Sequence, residues 1–222
     1  MQEYLFILKK SPLFSGIEEN EAEQLLSCLG AKTAAYLKNQ YIFRAGETTS
    51  SAGLVLSGSV HILKEDVWGN RGILAEAQTG DLFGETYAVL PKRPLEVSAF
   101  AAENTEILFL SMHKILTICS SACRFHTLLI QNLLSVLAQK NLMLTEKMEH
   151  LTKRSTREKL LSYLSAEAQR QQSSAFEIPY NRQQLADYLS VDRSAMSGEL
   201  GKLRDEGLLR FHKNRFELKG RR

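Results

Sequence analysis

The sequence predicts an α+β protein in three parts: a β-roll of jelly-roll type over residues 1–112, a long helix over 113–151, and a helix pair with a β-hairpin over 152–222. Three observations carry this prediction. Short runs of β-forming residues broken by glycine fill residues 31–110. A repeat of apolar residues at alternating spacings of four and three follows, in a stretch free of glycine and proline. The remainder is basic: residues 152–222 hold 15 Lys+Arg against 9 Asp+Glu, whereas residues 1–151 hold 13 against 16.

Composition bounds the class. With 222 residues, 44% of them hydrophobic, the chain resembles an ordinary folded soluble protein with room for one large or two modest domains. No run of about 18 apolar residues occurs, so no membrane span is expected. The opening MQEYLFILKK is too short in its apolar part for a signal peptide. Three cysteines, an odd number without a CxxC pair, argue for a reducing compartment, and a cytoplasmic location is expected. A basic third on a mildly acidic body suits a module for a polyanion; a solvated basic face is the plainer reading of charge alone.

In chain order, SPLFSGIEENEAEQLLSCL predicts a turn and then a short helix with an acidic face. From Ala31 to Leu110, Gly46, Gly53, Gly58, Gly69, Gly72, Gly80 and Gly84 divide segments such as GLVLSGSVHILKED and RGILAEAQTGDLFGE. Short strands with turn signals at this spacing predict a sandwich or barrel-like roll. VWGNRG (67–72) has the composition of a hairpin turn, because glycine and asparagine tolerate positive φ.

In the long helix, Ile130, Leu134, Leu137, Asn141, Leu144, Met148 and Leu151 form a heptad seam, the pattern on which two helices supercoil. A helix packed within one domain needs a wider apolar face. Leu128, Leu129, Leu133 and Leu142 widen this one in places, so part of it is expected to pack on the roll as well. Asn141 on the seam can pair with its counterpart in a parallel dimer and fix register at a cost in stability. The seam predicts a homodimer; a helix packed only within its own chain is the alternative.

STREKLLSYLSAEAQRQ predicts a helix with Leu160, Leu161 and Leu164 inward, and FEIPY a strand-like segment. NRQQLADYL and SVDRSAMSGELGKLRDEGLL predict two helices with a minimal break at Ser190–Val191. Small Ala186 lets them cross closely, Val191 and Met196 complete the shared core, and Asp192 caps the second helix by accepting from free backbone N–H groups. In that helix Met196, Leu200 and Leu203 share one apolar stripe. The opposite side, Arg193, Ser194, Ser197, Gly198 and Gly201, is small and low in charge, as if kept clear for something to lie against. LLRFHKNRFELKG alternates about Lys213–Asn214 as a small hairpin, the wing of a winged helix-turn-helix.

Nearly the whole chain resembles the CRP/FNR family of bacterial transcription regulators. PLFSGI (12–17), GLVLSGSV (53–60), GDLFGE (80–85) and RQQLADYLSVDRSAMSGEL (182–200) are similar to family motifs in the family's order and spacing. The resemblance implies a β-roll sensor domain, a dimerisation helix and a winged helix-turn-helix that binds double-stranded DNA, with the homodimer on a pseudo-palindromic site. RNA polymerase is a further implied partner. Arg193 falls where the family places a base-reading arginine, whose guanidinium can bond guanine O6 and N7 with about 1–3 kcal/mol of discrimination. Ser194 takes the place of a base-reading glutamate, Ser197 matches a serine of the oxygen-type regulators, and Gly198 departs from a common arginine. Asn181, Arg182, Lys202, Lys213 and Arg215 are the expected phosphate contacts. For Arg193, a phosphate clamp or surface ion pair is the alternative.

At the sensor end the resemblance implies a pocket at Gly84, Glu85, Leu95, Glu96, Leu144 and Thr145. Gly84 and Glu85 match residues that approach the phosphate and ribose hydroxyl in cyclic-nucleotide binders. The Arg-Ser or Arg-Thr pair that holds the phosphate is Leu95–Glu96 here; leucine supplies no charge-assisted bond and glutamate repels the ligand. The Thr-Ser pair that meets adenine is Leu144–Thr145. Cyclic AMP is therefore disfavoured, and GDLFGE is expected to persist as a turn of the roll. An iron–sulfur cluster is disfavoured too, since only Cys28 lies near the N-terminus. Cys119 and Cys123, one helical turn apart, are poorly placed for a mutual disulfide. His61 and His113 leave haem open, but no metal site stands out. The effector is left as an unidentified small molecule or redox signal.

No GxxxxGKS/T, GxSxG or HExxH pattern occurs, so no enzyme is expected. The alternatives to a DNA-binding regulator are a nucleotide-responsive β-roll module acting through protein partners and a regulatory subunit of an enzyme.

Overall fold

The computed structural model describes residues 4–65, 68, 71–90, 92–117 and 124–219. The chain forms two compact units, Met1–Leu137 and Ala138–Arg222. The first opens with α1 (Leu5–Lys10), a single 3-10 turn at Pro12–Phe14, and α2 (Glu19–Leu29). A capping box starts α2: the Glu18 carboxylate accepts from the Glu21 backbone and Glu21 accepts from the backbone N–H of Glu18. Gly30 ends the helix at φ 61°, a conformation that a Cβ would strain.

The strands follow: β1 (Lys32–Tyr36), β2 (Tyr41–Phe43), β3 (Ser51–Ser57), β4 (Ser59–Glu65), β5 (Arg71–Gln78) and β6 (Leu82–Phe83), then the short α3 (Glu85–Ala88), β7 (Ser98–Ala101), β8 (Thr105–Ser111) and α4 (Met112–Leu116). They make two antiparallel four-stranded sheets, β1-β8-β3-β6 and β2-β7-β4-β5, which is the expected roll. Strand alternation divides the apolar residues between two cores. Leu54, Leu56, Leu108 and Leu110 turn toward the helices, where they meet Leu8, Phe14, Leu25, Leu29 and Ile115. Val55 and Ile107 turn inward, against Val60, Ala77, Phe83 and Ala99.

β4 and β5 form a hairpin with a register shift between Ile62 and Leu63. Of the expected turn VWGNRG, residues 67, 69 and 70 lie outside the described residues. Trp68 is 83% exposed, and the consecutive Ile73 and Leu74 are 61% and 54% exposed, so both faces of this hairpin end are open.

The single helix expected over 113–151 is instead two. α4 stops at Thr117, whose backbone is extended and whose hydroxyl donates to the His113 carbonyl. α5 (Arg124–Leu151) begins afresh and carries the whole heptad seam. Cys119 and Cys123 lie outside the described residues. The first half of α5 packs on the roll's helical side as its widened apolar face predicted: Leu129 and Leu133 are buried there, and Asn132 Nδ2 donates to the carbonyls of Leu13 (3.0 Å) and Ser15 (2.8 Å).

The second unit continues with α6 (Thr156–Arg170), β9 (Ala175–Glu177), α7 (Arg182–Tyr188), α8 (Arg193–Asp205), β10 (Leu209–His212) and β11 (Arg215–Leu218). Leu160, Leu164, Leu185, Ala186, Met196, Leu200 and Leu203 form one core with Phe176 and Phe216 from the strands. β9 adds to the expected hairpin, giving a three-stranded wing in the order β10-β11-β9. The last turn of α5 enters this unit through an aromatic ring cluster. His150, 2% exposed, meets Tyr163 edge-on at 5.7 Å and Tyr188 at 6.4 Å, and Tyr188 stacks on Tyr180 at 5.0 Å. His150 Nδ1 lies 2.9 Å from Ser162 Oγ. Burial holds the imidazole below its ordinary pKa, against the opposing pull of Glu146, Glu149 and Glu167.

Candidate nucleic-acid interface and effector site

α8 is set by its cap and its stripe. The Asp192 carboxylate accepts from Ser194 Oγ (2.5 Å) and the Ala195 N–H (2.8 Å), and these bonds hold its pKa below the usual range. Met196, Leu200 and Leu203 are at most 1% exposed, which leaves Arg193, Ser194, Ser197 and Gly198 on the open side. Ser197 Oγ donates to the Arg193 carbonyl at 2.9 Å, so its lone pairs remain as acceptors. A Cβ built on Gly198 or Gly201 meets nothing within 4 Å among the described residues. The chain's own packing therefore gives no reason for either glycine.

Two residues not singled out in the sequence hold the helix pair from α6. Arg157 spans both carboxylate oxygens of Glu206 and reaches Glu199 at 3.2 Å. Lys159 Nζ donates to the Leu189 carbonyl (3.2 Å), at the end of α7. Lys202, an expected phosphate contact, stands 3.3 Å from Glu199 and is well exposed. No local pattern in the sequence marks Arg157 or Lys159, because their partners lie 30 residues or more away.

A cleft of about 560 Å³ opens among Asn181, Arg182, Arg193, Lys213 and Asn214. Asn181 caps α7, its side chain accepting from the Gln184 N–H at 3.0 Å. Lys213 sits in the wing turn at φ 52°. Asn214 Nδ2 ties that turn to Glu177 Oε1 (2.7 Å) and the Ile178 carbonyl (3.3 Å). Arg182, an expected phosphate contact, lines the cleft with its head group set against the wing. Its guanidinium lies over the rings of Phe211 (4.8 Å) and Phe216 (5.0 Å), and its Nη2 is buried without a hydrogen-bond partner among the described residues. Burial lowers its pKa. Arg215 lines a different crevice, with Arg210 and Phe176.

In the first unit, Gly84 adopts φ 75° and a Cβ there would stand 2.8 Å from the Phe43 ring, so glycine is required. Glu85 is 3% exposed. Leu95 is buried, its backbone paired to Gly46 and Glu47 at 2.8 Å. Glu96 is exposed and bonded to Arg93 at 2.7 Å, which lowers its pKa and spends that arginine's charge. Between the sheets, Phe43 packs on Phe83 (5.7 Å) and Phe109 (5.9 Å). Of these two residues, Leu95 carries no charge and Glu96 is an anion already paired with Arg93, so neither offers a cation to a phosphodiester. Leu144 (67% exposed) and Thr145, whose hydroxyl donates to the Asn141 carbonyl, belong to the second unit. His61 faces Phe100 and Glu76, His113 and Cys28 are exposed, and the described residues hold no group of three or more metal-ligating side chains.

Along the seam, Leu134, Leu144 and Met148 are 60–67% exposed and Asn141 is exposed, while Ile130, Leu137 and Leu151 are half-buried. Leu142 and Met143 are open as well.

Residues 33–122 match the family model of the cyclic nucleotide-binding domain, and residues 158–222 that of the Crp-like helix-turn-helix domain. The cyclic AMP receptor protein of Thermus thermophilus is 28% identical over 204 residues, 92% of this chain and 90% of that protein. The chain belongs to the CRP/FNR family. Among solved CRP/FNR folds, the catabolite activator protein of Thermus thermophilus matches with a TM-score of 0.50 at 28% identity, covering 94% of each chain. The c-di-GMP responsive global regulator CLP of Xanthomonas campestris matches at 0.59 and 20% identity, covering 92% of this chain and all of that one. DNR of Pseudomonas aeruginosa matches at 0.51 and 21%, covering 100% and 96%. The last two share the fold. The protein is a CRP-family transcription regulator with a cyclic nucleotide-binding-type domain and a helix-turn-helix domain, and its homologues are regulators rather than enzymes. Among the described residues no helix is long and apolar enough to cross a membrane.

Proposed function

We propose that this regulator binds double-stranded DNA as a homodimer on a pseudo-palindromic site, under the control of an effector other than cyclic AMP. The observation that carries the reading is the open face of α8. Arg193 lines the cationic cleft, and Ser194, Ser197, Gly198 and Gly201 form a low surface on which a Cβ at either glycine would meet nothing within 4 Å among the described residues. Such a face lets a helix approach base edges in the major groove. Arg193, Ser194, Ser197 and Gly198 then face the bases, and Asn181, Lys202, Lys213 and Arg215 face phosphate. Arg182 is left out of the phosphate set because its head group is engaged by Phe211 and Phe216. The exposed Leu134, Leu144 and Met148 supply the dimer seam with Asn141 in register. The cyclic-nucleotide argument rests on buried Leu95 and on the Glu96–Arg93 pair.

Selection of binding sites from random-sequence DNA tests the reading. The selected site should be two-fold symmetric, with half-sites about one helical turn, roughly 34 Å, apart. Affinity should fall steeply between 50 and 200 mM salt, by about 10³-fold or more if each dimer neutralises about six phosphates. An unsymmetrical site, or an affinity indifferent to salt, overturns it.

A further inference from the structure

We infer that Arg182 is a positioning residue for the wing: it acts on DNA by holding the β10–β11 hairpin, and does not itself touch phosphate. The inference rests on the DNA-binding reading and concerns the same surface. Arg182 is the first residue of α7, directly after the Asn181 cap. Its guanidinium covers two rings from the two strands of the wing, Phe211 on β10 and Phe216 on β11. Those phenylalanines are register partners across the hairpin, with ring centroids 6.0 Å apart. Phe216 in turn stacks on Phe176 of β9 at 6.2 Å. The planar cation is thus the top layer of an aromatic stack that runs from the start of α7 through all three wing strands.

The polar bookkeeping of this side chain agrees. A phosphate-seeking arginine keeps its N–H groups toward solvent, whereas here Nη2 is sealed and meets no acceptor among the described residues. An unpartnered buried donor is costly, and the attraction of two ring faces for a desolvated cation offsets it. What the arrangement secures is the turn between the strands. Asn214 fastens that turn on one side to Glu177 and Ile178, and Arg182 fastens the strands, one residue pair back from the pair that flanks the turn, to α7. Lys213, the residue at the tip, is consequently carried at a fixed reach beside Asn181 and Arg193.

The test uses the full-length protein and its selected site, with Arg182→Ala, Arg182→Met, Lys213→Ala and the double variant Arg182→Ala/Lys213→Ala. Affinity and its dependence on salt are measured for each. Arg182→Ala should weaken binding about tenfold and lower the logarithmic salt slope by about two, because the Lys213 contact is released in both protomers of the dimer. Lys213→Ala should do the same, and the double variant should equal either single one, since all three lose one shared contact. Arg182→Met, which covers the rings without a charge, should recover most of the affinity and the full slope. Additive losses, with Arg182→Met as weak as Arg182→Ala, would place Arg182 on phosphate and overturn the inference. Wild-type affinity and slope in Arg182→Ala overturn it as well. Should Arg182→Ala fail to fold, the slope of Arg182→Met decides alone: retained, it supports the strut; lowered by about two, it overturns it. A wild type that binds no DNA overturns the DNA reading itself, a failure distinct from any of these.

Discussion

Gly198 and Gly201 differ in kind from the glycines of the roll. A Cβ at Gly53 would stand 2.4 Å from the Phe83 ring and one at Gly84 2.8 Å from Phe43, so the protein's own packing demands both. On α8 the equivalent space is open. Glycine inside a helix costs about 1 kcal/mol relative to alanine, so Gly198→Ala and Gly201→Ala should each raise folding stability by about that amount. Both should also weaken binding to the selected site, because a methyl group stands where bases approach. Thermal melts and DNA titrations on the same preparations check the pair of effects; greater stability with unchanged affinity would mean the face has no close partner. The sequence showed a bare side on this helix, because small residues recur opposite an apolar stripe. It did not separate the two kinds of glycine, since a Phe43 or Phe83 ring against a backbone is a tertiary fact. Arg182 is a related case: its place at the opening of α7 suggests a phosphate contact, and only the fold brings Phe211 and Phe216 beneath it.

At the scale of elements, helix periodicity located α5 and its exposed seam but not the break before it. Residues 113–151 lack glycine and proline, yet α4 ends at Thr117, whose backbone is extended. The far end of α5 is fastened by rings. Its last turn is joined to α6 and α7 through His150, Tyr163, Tyr180 and Tyr188, with Lys147 over the Tyr188 ring at 5.1 Å. Burial depresses the His150 pKa below its unfolded value of 6.5. A depressed histidine binds fewer protons folded than unfolded. The stability it contributes is therefore fully present above pH 6.5 and is lost as pH falls from there through the folded value. Glu146, Glu149 and Glu167 favour the charged ring and Lys153 opposes it, but burial outweighs them. Melting the wild type and His150→Phe from pH 8 to pH 5 should show the wild type losing ground to the variant below pH 6.5. A constant difference across the range would rule out the histidine as the source.

Across the whole molecule, the architecture was legible because each part has its own period: twos in the strands, threes and fours along α5, and short capped helices near the C-terminus. The pairing of the strand-like FEIPY segment with the hairpin and the Arg157 clamp were not, since both join segments far apart in sequence. The sensor half keeps the GDLFGE turn, while the two positions that the resemblance assigns to the phosphate are Leu95 and Glu96, which supply no cation. Calorimetric titration with cyclic AMP should give no binding heat at micromolar ligand; micromolar affinity would refute the argument from those two residues. A last consequence follows from the open end of the β4–β5 hairpin. Trp68 is the chain's single tryptophan, and the aromatic cluster of the second unit contains only tyrosine and histidine. Excited at the red edge of the aromatic band, the protein emits from one place alone. Its colour reports the surroundings of that hairpin and is blind to local events at the helix pair. Any shift in emission when DNA is added is then a change at that hairpin, recorded by a dye the sequence already contains.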